Sequence, residues 1–207
     1  MHTIYSEDAD VQFACHCLNS FFDAFGLEHA VQFIETAFIA ATTAGIWKEE
    51  DPAGLLYFME RLDVLCTAVF AIHFNRAVME DAIIIAPEDG VPDITVQQHY
   101  TPLPFHASPW SSFCRSLTAS QYHNPYKAIK KFCKYMNPAQ WKKLCREITE
   151  SALSRYQDDL FISYDILTTR LHLLRMIEAC HLIHIRTSHK NKPQEQTLPD
   201  DAGMPTL

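Results

Sequence analysis

Apolar residues recur at spacings of three and four along most of the chain, a pattern typical of amphipathic helices. In the first half, Gly26 and Gly45 end such stretches, and Asp51 is an N-cap residue followed by a proline. The pattern predicts three helices there: from near Ser6 or Asp8 to Gly26, from Leu27 to about Ala44, and from Asp51 to about Glu80.

The pattern changes between residues 86 and 125, which contain six of the eleven prolines. Proline removes a backbone donor and clashes with the preceding turn, so this stretch cannot be one long helix. It is also rich in large apolar residues, such as Trp110 and Phe113, which a free linker would not carry. We therefore predict an ordered loop that crosses a helical bundle and offers a candidate contact surface.

Beyond this loop, Asn124-Pro125 and Asn137-Pro138 repeat the combination of a cap residue and a proline. They predict helices over 126–136 and 138–155, and a last helix follows a break near 157–163 and ends at about Ser188. Residues 190–207 have no core-forming pattern and are expected to be disordered.

These elements predict an all-α fold: an antiparallel bundle of about six helices, with the Pro-rich loop crossing it. We expect one domain over residues 1–189, made of a helical lobe (6–85), the loop (86–125) and a second helical lobe (126–189).

The last helix has an unusual distribution of polar residues. Every third residue from Thr169 to Thr187 is polar, and most of the positions between hold apolar residues. Because three residues turn an α-helix by about 300°, the polar positions wind around the helix instead of forming one wet face. Some of these side chains must therefore be paired inside the protein or line a cavity. We expect Arg175 to form an ion pair with Glu178, at i and i+3.

Composition restricts the class of protein. The chain has 207 residues, of which 48% are hydrophobic, so it has enough apolar material for a substantial core. A signal peptide has a basic region followed by an apolar run, and we find no such combination in this sequence. The apolar stretches are also too short for a membrane span. The seven cysteines form no CxxC pair, as expected for reduced thiols in a cytoplasmic protein without a membrane partner.

Charge is distributed unevenly. Residues 1–100 hold 16 acids and 3 Lys or Arg, whereas residues 101–207 hold 9 acids and 14 Lys or Arg. The two halves should attract each other, within one chain or across a dimer, although an anionic ligand is an alternative.

Seven of the 17 Lys and Arg residues fall in one segment, 126–146, which contains aromatic residues and no acid. Such a segment either binds the phosphates and bases of RNA or forms a solvated face on helices whose other face is buried. The candidate nucleic-acid-binding residues are Lys127, Lys130, Lys131, Lys134, Lys142, Lys143 and Arg146.

Arg175 and His181 on the last helix form an R-x5-H pattern. It resembles the R-x4-6-H motif of the HEPN family of all-helical domains. In that family the arginine and histidine support metal-independent cleavage of RNA, often at a dimer interface. The resemblance implies that Arg175 holds a phosphate and His181 transfers a proton. The family tends to place a polar residue directly after the arginine, whereas Met176 stands there in this chain.

Metal and cofactor chemistry has little support in the sequence. Glu178 and His181 resemble half of the di-iron motif of ferritin-like proteins, but no second Glu-x-x-His exists. A weaker alternative is a metal or small-ligand site that combines His181 and His184 with His73 or His172. We expect no cofactor and no metal.

Three functions are therefore consistent with the sequence. We favour an intracellular binding or regulatory module whose partner is another protein or a second copy of itself, so that a homodimer is plausible. The second hypothesis is a HEPN-like domain that binds RNA, with Arg175 and His181 as catalytic residues if it is a ribonuclease. The third is the metal or small-ligand site. No nucleophile motif, P-loop or dinucleotide fingerprint supports another enzyme.

Overall fold

Helices make up all of the regular structure in the part of the chain described by the computed structural model, namely residues 7–43, 47, 51–75, 113–154 and 165–190. No strand occurs in these residues, so the predicted all-α fold is confirmed. The seven helices are α1 (Glu7–Ala24), α2 (Leu27–Thr42), α3 (Pro52–Phe74), α4 (Ala119–His123), α5 (Tyr126–Tyr135), α6 (Pro138–Leu153) and α7 (Ile166–Lys190).

The predicted start of α3 is confirmed, but its predicted end is wrong. The Asp51 carboxylate accepts hydrogen bonds from the backbone N–H groups of Ala53, at 2.5 Å, and Gly54, at 3.0 Å. At the other end the helix stops at Phe74, where the Asn75 side chain donates to the carbonyl of Ala71. A polar side chain that binds the last turn ends a helix although the apolar pattern continues.

The helix α4 was missed because it lies within the segment predicted to be a loop. Its start is fixed by a capping box, in which the Thr118 hydroxyl accepts from the Gln121 N–H and the Gln121 side chain accepts from the Thr118 N–H. Residues 86–112 of the predicted loop lie outside the described residues, as does the predicted tail beyond Lys190.

The other boundaries agree with the sequence to within about two residues. Asn137 forms a second capping box with Gln140 at the start of α6, and Pro138 occupies the first helical position. At α5 the cap differs from the expectation: Asn124 binds the N–H of Tyr126, while Pro125 already has helical backbone angles.

One apolar core connects the six longer helices. It contains residues of both predicted lobes, and near its centre Phe132 and Trp141 stack with ring centroids 4.2 Å apart and no exposed surface. The helix α7 packs against α1, α2, α4 and α5, while α3 packs against α1, α5 and α6. The polar residues of α7 are therefore enclosed by helices on several sides.

The described helices include none that is both long and apolar enough to cross a membrane. All seven cysteines are free thiols, and four of them are buried.

Candidate functional site

Polar groups of α7 lie inside the protein, as the three-residue pattern predicted. Thr169, Glu178 and His181, which belong to this pattern, are each less than a tenth exposed, and so is Arg186, which lies outside it. Each must satisfy its polar atoms within the protein or leave them unpaired. The partners of these side chains show which of them hold the fold together.

Glu178 binds three consecutive backbone N–H groups in segment 113–118, which bends at Ser116 and Leu117. Its Oε1 accepts from Arg115 at 2.8 Å and from Ser116 at 3.0 Å, while its Oε2 accepts from Ser116 at 2.9 Å and from Leu117 at 3.0 Å. Successive N–H groups that point to one place form a concave anion site. Here the anion is the protein's own carboxylate, so the segment 113–118 is attached to α7.

Arg175 binds the same segment. Its Nε donates to the carbonyl oxygen of Ser116 at 2.9 Å. The expected ion pair between Arg175 and Glu178 is therefore wrong, because each side chain binds the backbone of segment 113–118 instead. This arrangement satisfies both the N–H and the carbonyl of Ser116, which an ion pair on the helix surface would leave without these partners.

Two effects act in opposite directions on the Glu178 carboxyl. Burial removes the charged form from water and raises its pKa, while the hydrogen bonds from Arg115, Ser116 and Leu117 lower it. Burial is the larger effect, so the pKa of Glu178 lies above its ordinary value. The carboxylate is held by directed hydrogen bonds at a cost in desolvation.

Further along α7, Arg186 attaches α4 to the bundle. Its Nη2 donates to the carbonyl oxygen of Tyr122 at 2.8 Å, and its guanidinium carbon lies 5.3 Å from the centroid of the Tyr122 ring. Leu182 and Ile185 pack against the same tyrosine. Segment 113–118 and α4 are thus held along one side of α7.

His181 lies on another side of α7, against α1. It is 7% exposed, and its ring meets the edge of Phe22 with centroids 5.2 Å apart. Neither ring nitrogen has a hydrogen-bond partner among the described residues. Burial, with a smaller contribution from His184, lowers the pKa of His181 to about 4, so the ring is neutral near pH 7.

His184 stacks on the other side of this contact. Its ring is 5.4 Å from Phe22, and its Nδ1 lies 2.9 Å from Oδ1 of Asn19 on α1. Burial lowers the pKa of His184 also, although Asp23 opposes the shift. Two neutral imidazoles therefore pack α7 onto α1.

Arg175 and His181 do not share a surface. Six residues on a helix separate two side chains by about 120° around the axis. Arg175 lies toward segment 113–118, whereas His181 packs against Phe22 in the interior. A buried imidazole cannot reach a ribose hydroxyl in solvent, so this arrangement gives no support to joint catalysis by the two residues.

The described histidines do not converge on one point. Among the described residues, no three His, Cys, Asp or Glu side chains are grouped so that they could hold a metal ion. His172 stacks on Tyr135 of α5, while His181 and His184 pack on Phe22 of α1. The histidines lie at similar spacings in sequence, but their contacts are with different helices.

The basic segment divides into two groups. The three basic residues of α6 pair with acids of the chain: Lys142 with Asp63 at 3.4 Å, Lys143 with Glu147 at 3.5 Å and Arg146 with Glu150 at 3.8 Å. On α5, Lys127 donates to the hydroxyl of Ser120, and Lys130, Lys131 and Lys134 are exposed without an acidic partner among the described residues. These four lysines follow one another at helical spacing and form one face, which we call the lysine face.

A groove of about 290 Å³ lies between α3 and α6. Its lining is mainly apolar, while charged side chains from both helices stand around it. Leu56 at one end is 46% exposed, and Tyr57 on the same helix is 51% exposed. The residues that line the groove are Leu56, Met59, Glu60, Asp63, Lys142, Cys145, Arg146, Thr149 and Glu150.

No protein-family model matches the chain, and neither a curated protein nor a solved structure shows significant similarity to it.

Sequence reasoning identified the polar positions of α7 but missed their partners. The backbone of segment 113–118 carries no sequence signal, because every residue except proline has an N–H group. Arg186 was detectable, since it is a charged residue that directly follows the mainly apolar stretch Leu182–Ile185. The groove was missed because its two walls come from helices whose pairing the sequence does not specify.

Replacing Glu178 with glutamine tests the attachment of segment 113–118. The amide nitrogen of Gln would face backbone N–H groups that need an acceptor, so the free energy of unfolding should fall by about 1–3 kcal/mol. Urea denaturation measures this loss, and faster hydrogen exchange at Ser116 and Leu117 locates it. The control is Glu150→Gln, an exposed carboxylate that should change neither. Unchanged protection at Ser116 and Leu117 in Glu178→Gln would contradict the attachment.

The buried His181 should make the protein sensitive to acid. Between pH 6.5 and about 4 the unfolded chain binds a proton at this residue and the folded chain does not. The free energy of unfolding therefore decreases as the pH is lowered through this range, by on the order of 3 kcal/mol in total. His181→Leu should flatten the dependence of the unfolding free energy on pH in this window. Exposed His16→Gln should leave it unchanged. An equally steep dependence in His181→Leu would show that other groups cause it.

Proposed function

We propose that this chain is a helical module that binds another protein or a second copy of itself. The observation that carries the proposal is the groove between α3 and α6, which combines a mainly apolar lining with charged side chains around it. Protein interfaces have this composition, with an apolar centre and a polar rim.

Further apolar residues of α3 are exposed. Besides Leu56 and Tyr57, Val64 is 38% exposed and Phe74 is 79% exposed on the same helix. Several large apolar side chains on one helix next to a groove indicate an interaction site more strongly than single exposed residues do. A groove of about 290 Å³ has room for one or two large apolar side chains of a partner.

Leu56→Arg tests the proposal, because a charge at the end of the groove should prevent an apolar side chain from entering. Ile39→Arg on α2 is the matched control, since Ile39 is 54% exposed and lies outside the groove. The three proteins are compared in quantitative affinity capture from cells and in sedimentation at increasing concentration. We expect a partner, or self-association, that is lost in Leu56→Arg and kept in Ile39→Arg.

The opposite result would remove the proposal. If the captured proteins and the sedimentation behaviour are the same for all three proteins, the groove binds no protein. Both variants must first give the same melting temperature as the original chain, so that a loss of binding is not a loss of folding.

We propose, as a second candidate function, that the lysine face binds a polyanion such as RNA. Support comes from the absence of acidic partners for Lys130, Lys131 and Lys134 among the described residues, in a chain whose formal net charge is -8. Lysines that remain unpaired in an acidic protein are available to neutralise phosphates. We do not extend this proposal to RNA cleavage, because His181 is buried.

The double variant Lys130→Glu, Lys131→Glu should weaken binding to a single-stranded RNA by at least about tenfold, and binding should fall steeply as salt rises. The matched control is Lys142→Glu, Lys143→Glu, which makes the same change of charge on α6, where both lysines already pair with acids. Fluorescence anisotropy at several salt concentrations measures both. Equal losses in the two variants, or binding that ignores salt, would contradict a site on the lysine face.

A further inference from the structure

An aromatic stack joins α5 to α7 beside the lysine face. The rings of Tyr135 and His172 have centroids 4.3 Å apart and planes inclined by 21°. The Tyr135 hydroxyl also forms a 3.0 Å hydrogen bond with the hydroxyl of Thr169, which is fully buried. These contacts fix the end of α5 against the beginning of α7.

The two helices run antiparallel at this contact. Tyr135 at the end of α5 meets the first turns of α7, whereas Tyr122, just before α5, meets Arg186 near the end of α7. Lys131 lies one turn before Tyr135, and Arg175 lies one turn after His172. Residues three or four apart share a helix face, so this geometry places Lys131, His172 and Arg175 at one seam between the helices.

The charges at this seam have one sign. Burial lowers the pKa of His172, and the positive charges of Arg175 and Lys131 lower it further. No acid of the described residues acts on His172 in the opposite direction. The acids along the neighbouring part of α7 have other partners: Glu178 binds segment 113–118, Asp165 binds Thr168, and Glu35 of α2 pairs with Arg170 at 3.2 Å.

Hydrogen-bond donors at the seam are free to bind a ligand. Arg175 uses only Nε, for the Ser116 carbonyl, and none of the described residues accepts from its two Nη groups. Lys131 is exposed and has no partner among the described residues. A guanidinium fork beside an ammonium group suits the several oxygens of a phosphate.

We propose that Lys131, His172 and Arg175 form a binding site for a phosphate group. Arg175 supplies the Nη fork, Lys131 supplies a charge from α5, and the bound anion favours the protonated form of His172. The site rests on the second proposed function and deepens it, because it names the chemical group that is bound. A free phosphate and a phosphate of RNA share this chemistry.

The test follows the ring resonances of His172 by NMR in the full chain, with inorganic phosphate in one titration and a short single-stranded RNA in another. An anion beside the ring favours the imidazolium, so the pKa of His172 should rise by about one unit on saturation. A response to inorganic phosphate shows that the free anion is sufficient, and a response to RNA alone shows that a polymer supplies the phosphate. If neither changes the His172 pKa, the site does not exist.

The same experiment separates this inference from the proposal on which it rests. RNA binding that depends on Lys130 and Lys131 but leaves His172 unchanged would overturn the phosphate site and keep the lysine face. A response to inorganic phosphate without any binding of RNA would support the phosphate site and remove the polyanion proposal.

Substitutions identify the ligand-binding side chains. Lys131→Gln and Arg175→Gln should each weaken binding of the effective ligand about tenfold or more, which corresponds to the loss of one charge-assisted contact. Lys142→Gln on α6 is the control, with the same loss of charge away from the seam. Because Arg175→Gln also loses the contact with Ser116, Lys131→Gln is the decisive variant. Unchanged binding in Lys131→Gln would overturn the proposal.

Discussion

The buried carboxylate of Glu178 is the interaction on which the arrangement around α7 depends. A charge in an apolar core is costly, and so are backbone N–H groups without acceptors. The contact between Glu178 and segment 113–118 offsets part of the first cost and removes the second, because two carboxylate oxygens accept from three successive N–H groups. The capping box that starts α4 follows directly at Thr118, so the position of α4 is set by the same contact.

Local signals in the sequence predicted the helices well, while contacts between distant residues were beyond it. Asp51-Pro52 and Asn137-Pro138 marked true helix starts because a cap and its proline are neighbours in the chain. The three-residue pattern of α7 correctly indicated buried polar groups. It could not identify their partners, since segment 113–118 binds through its backbone, which the side-chain sequence does not encode.

The candidate sites illustrate the same difference. The sequence grouped seven basic residues, and the structure divides them because α6 carries its own acids at i+4 and approaches Asp63 of α3. The two pairs within α6 could be predicted from Glu147 and Glu150, which lie four residues after their partners. The pair of Lys142 with Asp63 could not, because it depends on the packing of α3 on α6. Likewise, the sequence linked Arg175 to His181 by spacing alone. Helix geometry and packing instead place Arg175 near His172, on the same helix, and near Lys131 of α5.

Among the described residues, the uneven distribution of charge is only partly cancelled by ion pairs. Two of the observed ion pairs connect the acidic and the basic half, Lys142 with Asp63 and Arg170 with Glu35. Both are at the surface, where such pairs add little stability. The lysines of α5 take no part in them. In the described part of the chain, positive charge therefore remains concentrated beside α7, although the net charge of the full sequence is negative.

The winding of polar groups around α7 also restricts how the length of this helix can change. The helix α7 makes three contacts on different sides of its axis: with segment 113–118, with α1 through the histidines, and with α5 at the seam. Inserting a single residue near Met176 would turn everything beyond it by about 100° relative to everything before it. Glu178, His181 and Arg186 would then lose their partners together, while the contacts of His172 stayed in place. We therefore expect this part of α7 to accept substitutions at outward positions but not insertions or deletions.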